Sequence, residues 1–286
     1  MDTTHLELPL FPLHSVLCPG VALPLHIFED RYRLMVGRCI ERSEPFGVVL
    51  IREGQEVGPL MGRVAEIGTT ALIREAGRYP DGRLDIMTVG GRRFRIHELD
   101  EVHEPYLLGR VSLIEETVGG SAEAQRLAAR VGRRFLEYLE LLQPALAGED
   151  GPEIEIEIEI ETADDEPDDD VRDDASAGRR HTAAGGTDPG DISRETLATL
   201  SDAQRRELLR AAAQRLTAPG DPTALSYVLS GLVHVELPWR QALLETPDTV
   251  TRLRSLEQLL KRETQLLGKG LKPLMVDQRL AALRRN

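Results

Sequence analysis

The sequence predicts an α+β fold in which a β-rich unit, residues 1–118, precedes an α-helical bundle. Short apolar, β-branched runs separated by turn residues fill the first unit, as in a compact sheet or a partly closed barrel. After Gly119-Gly120 the apolar residues instead recur every three or four positions, which is the helical period. An acidic tract with few large apolar side chains separates the first predicted helix from the rest of the bundle.

Strand candidates follow one another through most of the β-rich unit. They are Phe46–Arg52, Val64–Glu75, Leu84–Val89, Arg92–Val102 and Tyr106–Glu115. A tight turn is predicted at Tyr79–Arg83, because Pro80 sets φ at one turn position and Gly82 tolerates positive φ at the next. Gly90-Gly91 is expected to separate two of the strands.

The same unit contains one predicted helix and two predicted loops. The helix is expected over Asp30–Glu41, where Leu34, Met35 and Cys39 fall on neighbouring helical positions. The proline-rich segments Leu10–Leu17 and Val21–Phe28 are expected to be apolar loops that leave hydrophobic surface partly exposed.

The helical bundle begins after Ser121, a favourable capping residue, and residues 119–147 are assigned to its first helix. Gln143-Pro144 is expected to weaken or bend this helix. Its predicted buried stripe is Leu127, Val131, Phe135, Leu139 and Leu142. The remainder of the bundle and a tail are assigned to residues 191–286. The helix signals there are a capping box at Ser201–Gln204, Asp221-Pro222 ahead of Leu225, Leu229 and Leu232, a short helix at Trp239–Glu245, and a longer helix from Thr246-Pro247 to Gly268.

The acidic character of the protein is concentrated in one tract. Residues 149–174 contain fifteen Asp or Glu and one Arg, a local charge of −14, whereas the whole chain carries −13. The rest of the chain is therefore near neutral, at +1. Residues 148–190 are predicted to be a disordered insertion, because they contain too little apolar surface to offset the entropy of ordering them. Within it, Glu153–Glu161 alternates Glu with Ile, so a strand that pairs with an exposed sheet edge is an alternative there.

Composition excludes several classes of protein. Two cysteines, Cys18 and Cys39, are too few for a disulfide framework and favour a reduced, cytoplasmic setting. The N-terminus lacks the basic and apolar regions of a signal peptide, and no apolar run approaches the roughly 18 residues that a membrane span requires. We therefore expect no membrane association.

No catalytic, cofactor or metal site is expected. Gly268-Lys269-Gly270-Leu271 lacks the spacing and the hydroxyl residue of a phosphate-binding loop, and no G-x-S-x-G elbow occurs. His14, Cys18, His26 and Cys39 are suitable zinc ligands by type, but they lack the paired spacing that zinc sites show.

An ordered series of short motifs resembles the N-terminal, substrate-recognition domain of Lon proteases, and most closely its stand-alone bacterial form. The motifs are LPLFPL at 8–13, VLCPG at 16–20, LPLHIFEDRY at 23–32, FGVVLI at 46–51, VAEIGT at 64–69, PDGR at 80–83, GRRFRI at 91–96 and PYL at 105–107. The helical half resembles the family more loosely, through DP at 221–222, LSY at 225–227 and RQALLE at 240–245. The acidic insertion, and Cys18 where the family often has an aromatic residue, depart from the pattern.

The resemblance implies a fold, a function and a set of binding residues. The fold would be a six-stranded pseudobarrel related to PUA domains, joined to an α-helical bundle. The function would be non-enzymatic recognition of exposed hydrophobic segments of unfolded or client proteins, as an adaptor or chaperone-like factor in protein quality control that works with a separate protease. The matching candidate surface is Leu25, Ile27, Phe28 and Tyr32. The competing reading for each of these four is closure of the β-core.

An alternative function is RNA binding, because PUA-like folds include RNA binders. Strand alternation would place Arg93 and Arg95 on one face and Phe94 on the other. The competing interpretation is a solvated strand face at the arginines, with Phe94 in the core. The near-neutral charge outside the insertion and an aromatic content of 4% disfavour a nucleic-acid partner.

Overall fold

The protein has an α+β fold, seen in a computed structural model that describes residues 5–52, 64–116, 122–146 and 220–269, with side chains to Leu142 in the third range. The described strands are β1 (Leu6–Leu13), β2 (Ala22–Ile27), β3 (Phe46–Leu50), β4 (Ile67–Arg78), β5 (Leu84–Asp100) and β6 (Leu107–Leu113). The described helices are α1 (Asp30–Arg42), α2 (Ala122–Leu146), α3 (Pro222–Leu232), α4 (Leu237–Glu245) and α5 (Thr249–Leu267).

The six strands form one sheet that closes on itself, with the order β2-β5-β4-β3-β1-β6 and a further pairing of β5 with β6. Closure is possible because β5 is 17 residues long: its first part pairs with β2 and its last part pairs with β6. Five strands thus form the barrel, and β2 is attached beside the beginning of β5. The predicted pseudobarrel followed by a helical bundle is confirmed.

The expected break at Gly90-Gly91 is wrong, because β5 continues through both glycines. The Gly90 N–H donates to the Val21 carbonyl, and the Gly90 carbonyl accepts from the Gly20 N–H. A Cβ on Gly90 would lie 2.1 Å from the Cys18 carbonyl oxygen. Glycine at position 90 therefore allows two backbones to approach closely, and it does not end the strand.

The two expected proline-rich loops are also largely wrong. Residues 6–13 and 22–27 are continuous strands, although they contain Pro9, Pro12 and Pro24. β1 pairs with β3 on one side and with β6 on the other, and this tertiary pairing overrides the local proline signal.

The helix α1 forms where the pattern predicted it and covers the barrel core, but its buried stripe differs from the expected one. Tyr32, Met35, Val36 and Cys39 are buried, whereas Leu34 is 41% exposed. The buried α1 residues pack with residues of β1, β3 and β5, such as Phe11, Phe46 and Ile86.

The helical bundle has its own core, which includes four residues of the predicted α2 stripe: Leu127, Val131, Phe135 and Leu142. α2 continues past Pro144 to Leu146. Asp221 caps α3 as predicted, since its carboxylate accepts from the Thr223 and Ala224 N–H groups. The long helix α5 begins at Thr249 with Asp248 as its cap, three residues after the expected start.

Some sequence predictions concern residues that the structure does not describe. The acidic insertion at 148–190, the Glu153–Glu161 run and the helix expected after Ser201 lie outside the described residues. Within the described ranges, no helix is both long enough and apolar enough to cross a membrane.

Candidate protein-binding surface

A three-stranded ribbon at the beginning of β5 presents an outward face. Here β5 is flanked by β2 and by the end of β4, with Pro24 opposite Met87 and His26 opposite Asp85. Side chains alternate along β2, so Ile27 is buried while Pro24 and His26 are exposed. Phe28 follows directly and is 62% exposed.

An aromatic patch, defined by Pro24, His26, Phe28, Tyr79 and Met87, occupies this face. The His26 ring stacks on Phe28 at a centroid distance of 6.2 Å and meets Tyr79 edge-on at 6.1 Å. Tyr79, in the turn that links β4 to β5, is 42% exposed. Two large aromatic side chains thus remain open to solvent on either side of one histidine.

Asp85 holds the patch together at its centre. One carboxylate oxygen bonds to His26 Nδ1 and the other accepts from the Tyr79 hydroxyl. The hydrogen bond from Tyr79, followed by that from His26, lowers the pKa of Asp85 below its usual value. The same bond to Asp85 raises the pKa of Tyr79. Hydrogen bonds to Asp85 therefore orient the rings of His26 and Tyr79.

A shallow groove of about 650 Å³ lies beside the rings. Its lining includes Pro24, Leu25, His26, Gly77, Asp85 and Met87. Gly77 leaves it open, because a Cβ there would meet nothing closer than the Asp85 carbonyl oxygen at 3.9 Å. The groove and the rings together form a surface in which apolar side chains lie beside the polar His26, Glu75 and Asp85, with room for a side chain or an extended segment.

The four residues that the resemblance singled out have different environments. Ile27 and Tyr32 are only 1% and 7% exposed and belong to the barrel core, so they are not available to a partner in this structure. Leu25 is half-buried against the same core. Phe28 alone among the four is largely exposed.

The two arginines of the RNA hypothesis do not share an exposed face. Arg95 is exposed beside Glu66, but Arg93 is 1% exposed, so the expectation of a solvated face at Arg93 is wrong. The helical bundle covers it: Arg93 Nη1 donates to the carbonyls of Leu244 and Thr246, and Nε donates to Glu116. Phe94 lies in the barrel core, as predicted.

Arg93 belongs to a buried polar network between the barrel and the bundle. The guanidinium of Arg252, 0% exposed, stacks 3.7 Å from the centre of the Tyr227 ring and donates to the carbonyls of Leu243 and Thr246. The Tyr227 hydroxyl accepts from Arg252 and donates to Glu116. Burial lowers the pKa of Arg252 and raises the pKa of Tyr227. The network fixes how the two subdomains pack.

The cysteines and histidines that are zinc ligands by type do not gather into a site. In the described ranges, no group of three or more His, Cys, Asp or Glu could hold a metal ion. Cys18 and Cys39 are buried, and burial raises the pKa of each thiol to about 11.

A family model described as the ATP-dependent protease La (LON) substrate-binding domain matches residues 7–262. The chain belongs to the LON substrate-binding domain family. The family resemblance seen in the sequence motifs is thereby confirmed.

Similar proteins of known sequence include Lon proteases. The Lon protease of Parabacteroides distasonis is 32% identical over 111 residues, which cover 38% of this chain and 13% of that protein. The Lon protease of Anaeromyxobacter dehalogenans is 28% identical over 146 residues, which cover 50% of this chain and 17% of that protein. The LON-type chain therefore spans less than a fifth of the length of these curated relatives.

Two solved structures are similar to the chain. One is a Lon N-terminal domain protein from Xanthomonas campestris, with 24% identity, a TM-score of 0.48, and coverage of 90% of this chain and 98% of that chain. The other is the N-terminal domain of the Lon protease of the Mycobacterium avium complex, with 18% identity, a TM-score of 0.49, and coverage of 91% and 98%.

Sequence reasoning missed most of the aromatic patch. Pro24, His26, Tyr79 and Met87 of the patch, and Asp85 beside it, were not singled out as binding residues, although Leu23, Leu25 and Ile27 alternate as in a strand. The pairing that brings Tyr79 beside His26 spans more than fifty positions, so no local pattern reports it.

Proposed function

We propose that this LON substrate-binding domain protein is a non-enzymatic protein-binding module that binds exposed hydrophobic segments of unfolded or client proteins. The observation that carries the proposal is the aromatic patch, where Phe28 and Tyr79 are exposed beside an open groove. Contiguous exposed apolar surface on a folded protein is typical of an interaction site.

The patch is suited to unfolded segments for a physical reason. Native proteins bury most large apolar side chains, whereas an unfolded segment can place several of them on the rings and in the groove. Asp85 holds the rings of His26 and Tyr79, so these two side chains lose little conformational freedom on binding. Tyr and Met side chains add polarizable contact surface.

The cellular role follows as part of the same proposal. A non-enzymatic module that holds unfolded segments would act in the cytoplasm as an adaptor or a chaperone-like factor, and would pass its clients to a separate protease. The family match supports the binding role. Casein is expected to stay intact when incubated with the purified chain, with or without ATP.

The decisive experiment compares binding of native α-lactalbumin with binding of its reduced, carboxymethylated and therefore unfolded form. We expect the wild-type chain to retain only the unfolded form. Phe28→Ser should weaken that binding by about tenfold, as expected when an exposed anchor side chain is removed. Val102→Ser is the matched control, since Val102 is 86% exposed and follows the opposite end of β5.

Equal binding of native and unfolded α-lactalbumin would contradict the proposal. So would a Phe28→Ser protein that binds as tightly as Val102→Ser. A filter-binding series with single-stranded RNA across salt concentrations tests the other function. We expect no salt-dependent retention, because Arg93 is buried.

A further inference from the structure

The strand β2 has a free edge. The five barrel strands are each paired on both sides over part of their length. In contrast, β2 pairs only with β5 among the described strands. It lies at the end of the strand order and is six residues long, roughly 20 Å. Pro24 and His26 are exposed, and in the described ranges no backbone group outside β5 bonds to Ala22, Pro24 or His26.

The backbone groups on this edge can be assigned from the pairing with β5. The Val21 carbonyl accepts from the Gly90 N–H, and the Leu23 carbonyl accepts from the Thr88 hydroxyl, so the odd-numbered residues face β5. In an antiparallel strand, the N–H and C=O of one residue point to one edge, and those of the next residue point to the other edge. Ala22, Pro24 and His26 therefore present their peptide groups at the free edge: three carbonyls and, because proline lacks an N–H, two donors.

A second free edge, at the end of β4, is a poorer template. Its register against β5 shifts between Ile73 and Glu75, and Arg74, Glu75 and Arg78 carry charge along it. Bulges, charged side chains and edge prolines all hinder strand addition. β2 has one of these features, Pro24, but its register is regular from Ala22 to Ile27 and its sequence ALPLHI holds no Asp, Glu, Lys or Arg.

We infer that an extended apolar segment of a client protein adds antiparallel to the free edge of β2 as a further strand. This inference rests on the proposed function and specifies how the client is held. Main-chain hydrogen bonds to Ala22, Pro24 and His26 give affinity without regard to client sequence. The outer-face side chains of the added strand lie across from Pro24 and His26, and so they contact the aromatic patch.

This arrangement makes a directional prediction. In an antiparallel ladder, each client residue opposite Ala22, Pro24 or His26 directs its backbone N–H toward β2. The side chain of the same residue lies on the outer face. The residues between them direct their N–H groups away. A backbone N–H of the client is thus required only at those positions whose side chains contact the aromatic patch.

The test uses the wild-type chain and three fluorescein-labelled nine-residue peptides of alternating phenylalanine and threonine, with a lysine at each end for solubility. One peptide is unmodified, one is N-methylated at every phenylalanine, and one is N-methylated at every threonine. Anisotropy titrations should show that methylation at phenylalanine weakens binding by roughly tenfold or more, whereas methylation at threonine changes it by about threefold or less. Because the protein is unchanged, no variant needs to fold.

The outcomes separate this inference from the proposed function. Binding of the unmodified peptide with equal weakening by both methylations, or with no weakening by either, overturns strand addition and leaves recognition by side chains alone. Stronger weakening by threonine methylation overturns the antiparallel arrangement. No binding of the unmodified peptide, together with no binding of unfolded α-lactalbumin, overturns the proposed function itself.

Discussion

Arg93 and Arg95 are two residues apart in β5, and strand alternation places them on the same face, yet their surroundings differ. The bundle covers the face at Arg93, where two backbone carbonyls and Glu116 accept its hydrogen bonds. The face is open at Arg95, whose side chain is 48% exposed next to Glu66. The sequence contains no local sign of this difference, because the covering residues Leu244 and Thr246 are about 150 positions away.

Replacement of each arginine by alanine should therefore have unequal effects on stability. Arg93→Ala removes the side-chain donor of the Leu244 carbonyl and one of the two donors to the Thr246 carbonyl and to Glu116, and should lower the free energy of unfolding by about 3 kcal/mol. Arg95→Ala removes an exposed ion pair and should cost less than about 0.5 kcal/mol. Urea denaturation of both variants measures the difference. Equal losses would mean that the junction network does not stabilise the fold.

At the scale of elements, the sequence predicted helices better than strands. Capping residues and apolar periodicity located α1, α3 and the core stripe of α2, because these signals act within a few residues. β1 and β2 were assigned to loops because proline is a strong local signal against strands, whereas pairing with distant partners determines them. The dependence on distant strand pairing also explains why the aromatic patch was only partly predicted. Phe28 was found from its motif, but its neighbours Tyr79 and Asp85 join it only through pairing of β2 and β4 with β5.

The glycines of the ribbon illustrate the difference between a turn signal and a packing requirement. Gly90→Ala should lower the free energy of unfolding by about 2–3 kcal/mol, because the new methyl group would overlap the Cys18 carbonyl oxygen. Gly77→Ala is the matched control in the neighbouring strand, where the nearest atom would be 3.9 Å away, and should change stability by less than about 0.5 kcal/mol. Thermal unfolding of both variants checks this pair. Equal tolerance at both positions would show that β5 does not need glycine at 90.

At the scale of the whole molecule, the barrel and the bundle are joined by shared core residues. One apolar cluster combines Val16, Cys18, Leu50, Ala65 and Ile67 from the β-rich unit with Tyr227 and Leu244 from the bundle. Gly231 of α3 lies so close to Val21 that an added Cβ would be 2.7 Å from its side chain. The buried Arg93 of β5 donates to the Leu244 carbonyl across the same junction, and Tyr227 of the bundle donates to Glu116, which follows β6. Separation of the subdomains would expose apolar surface and leave buried charges unpaired, so neither subdomain is expected to unfold alone.

This coupling predicts a single unfolding transition. Trp239 is the only tryptophan of the chain and lies in α4, so its fluorescence reports on the bundle, while hydrogen exchange of the amides of β1 and β3 reports on the barrel. In urea the two signals should have the same midpoint, because each subdomain completes the core of the other. Arg93→Ala should lower both midpoints together.

Deletion of residues 149–190, which the composition predicts to be disordered, should leave both midpoints unchanged. The net charge of the remaining chain would then be near neutral. Two separate midpoints in the wild-type chain would show that the junction does not couple the subdomains, and loss of cooperativity on deletion would assign a structural role to the Glu153–Glu161 run.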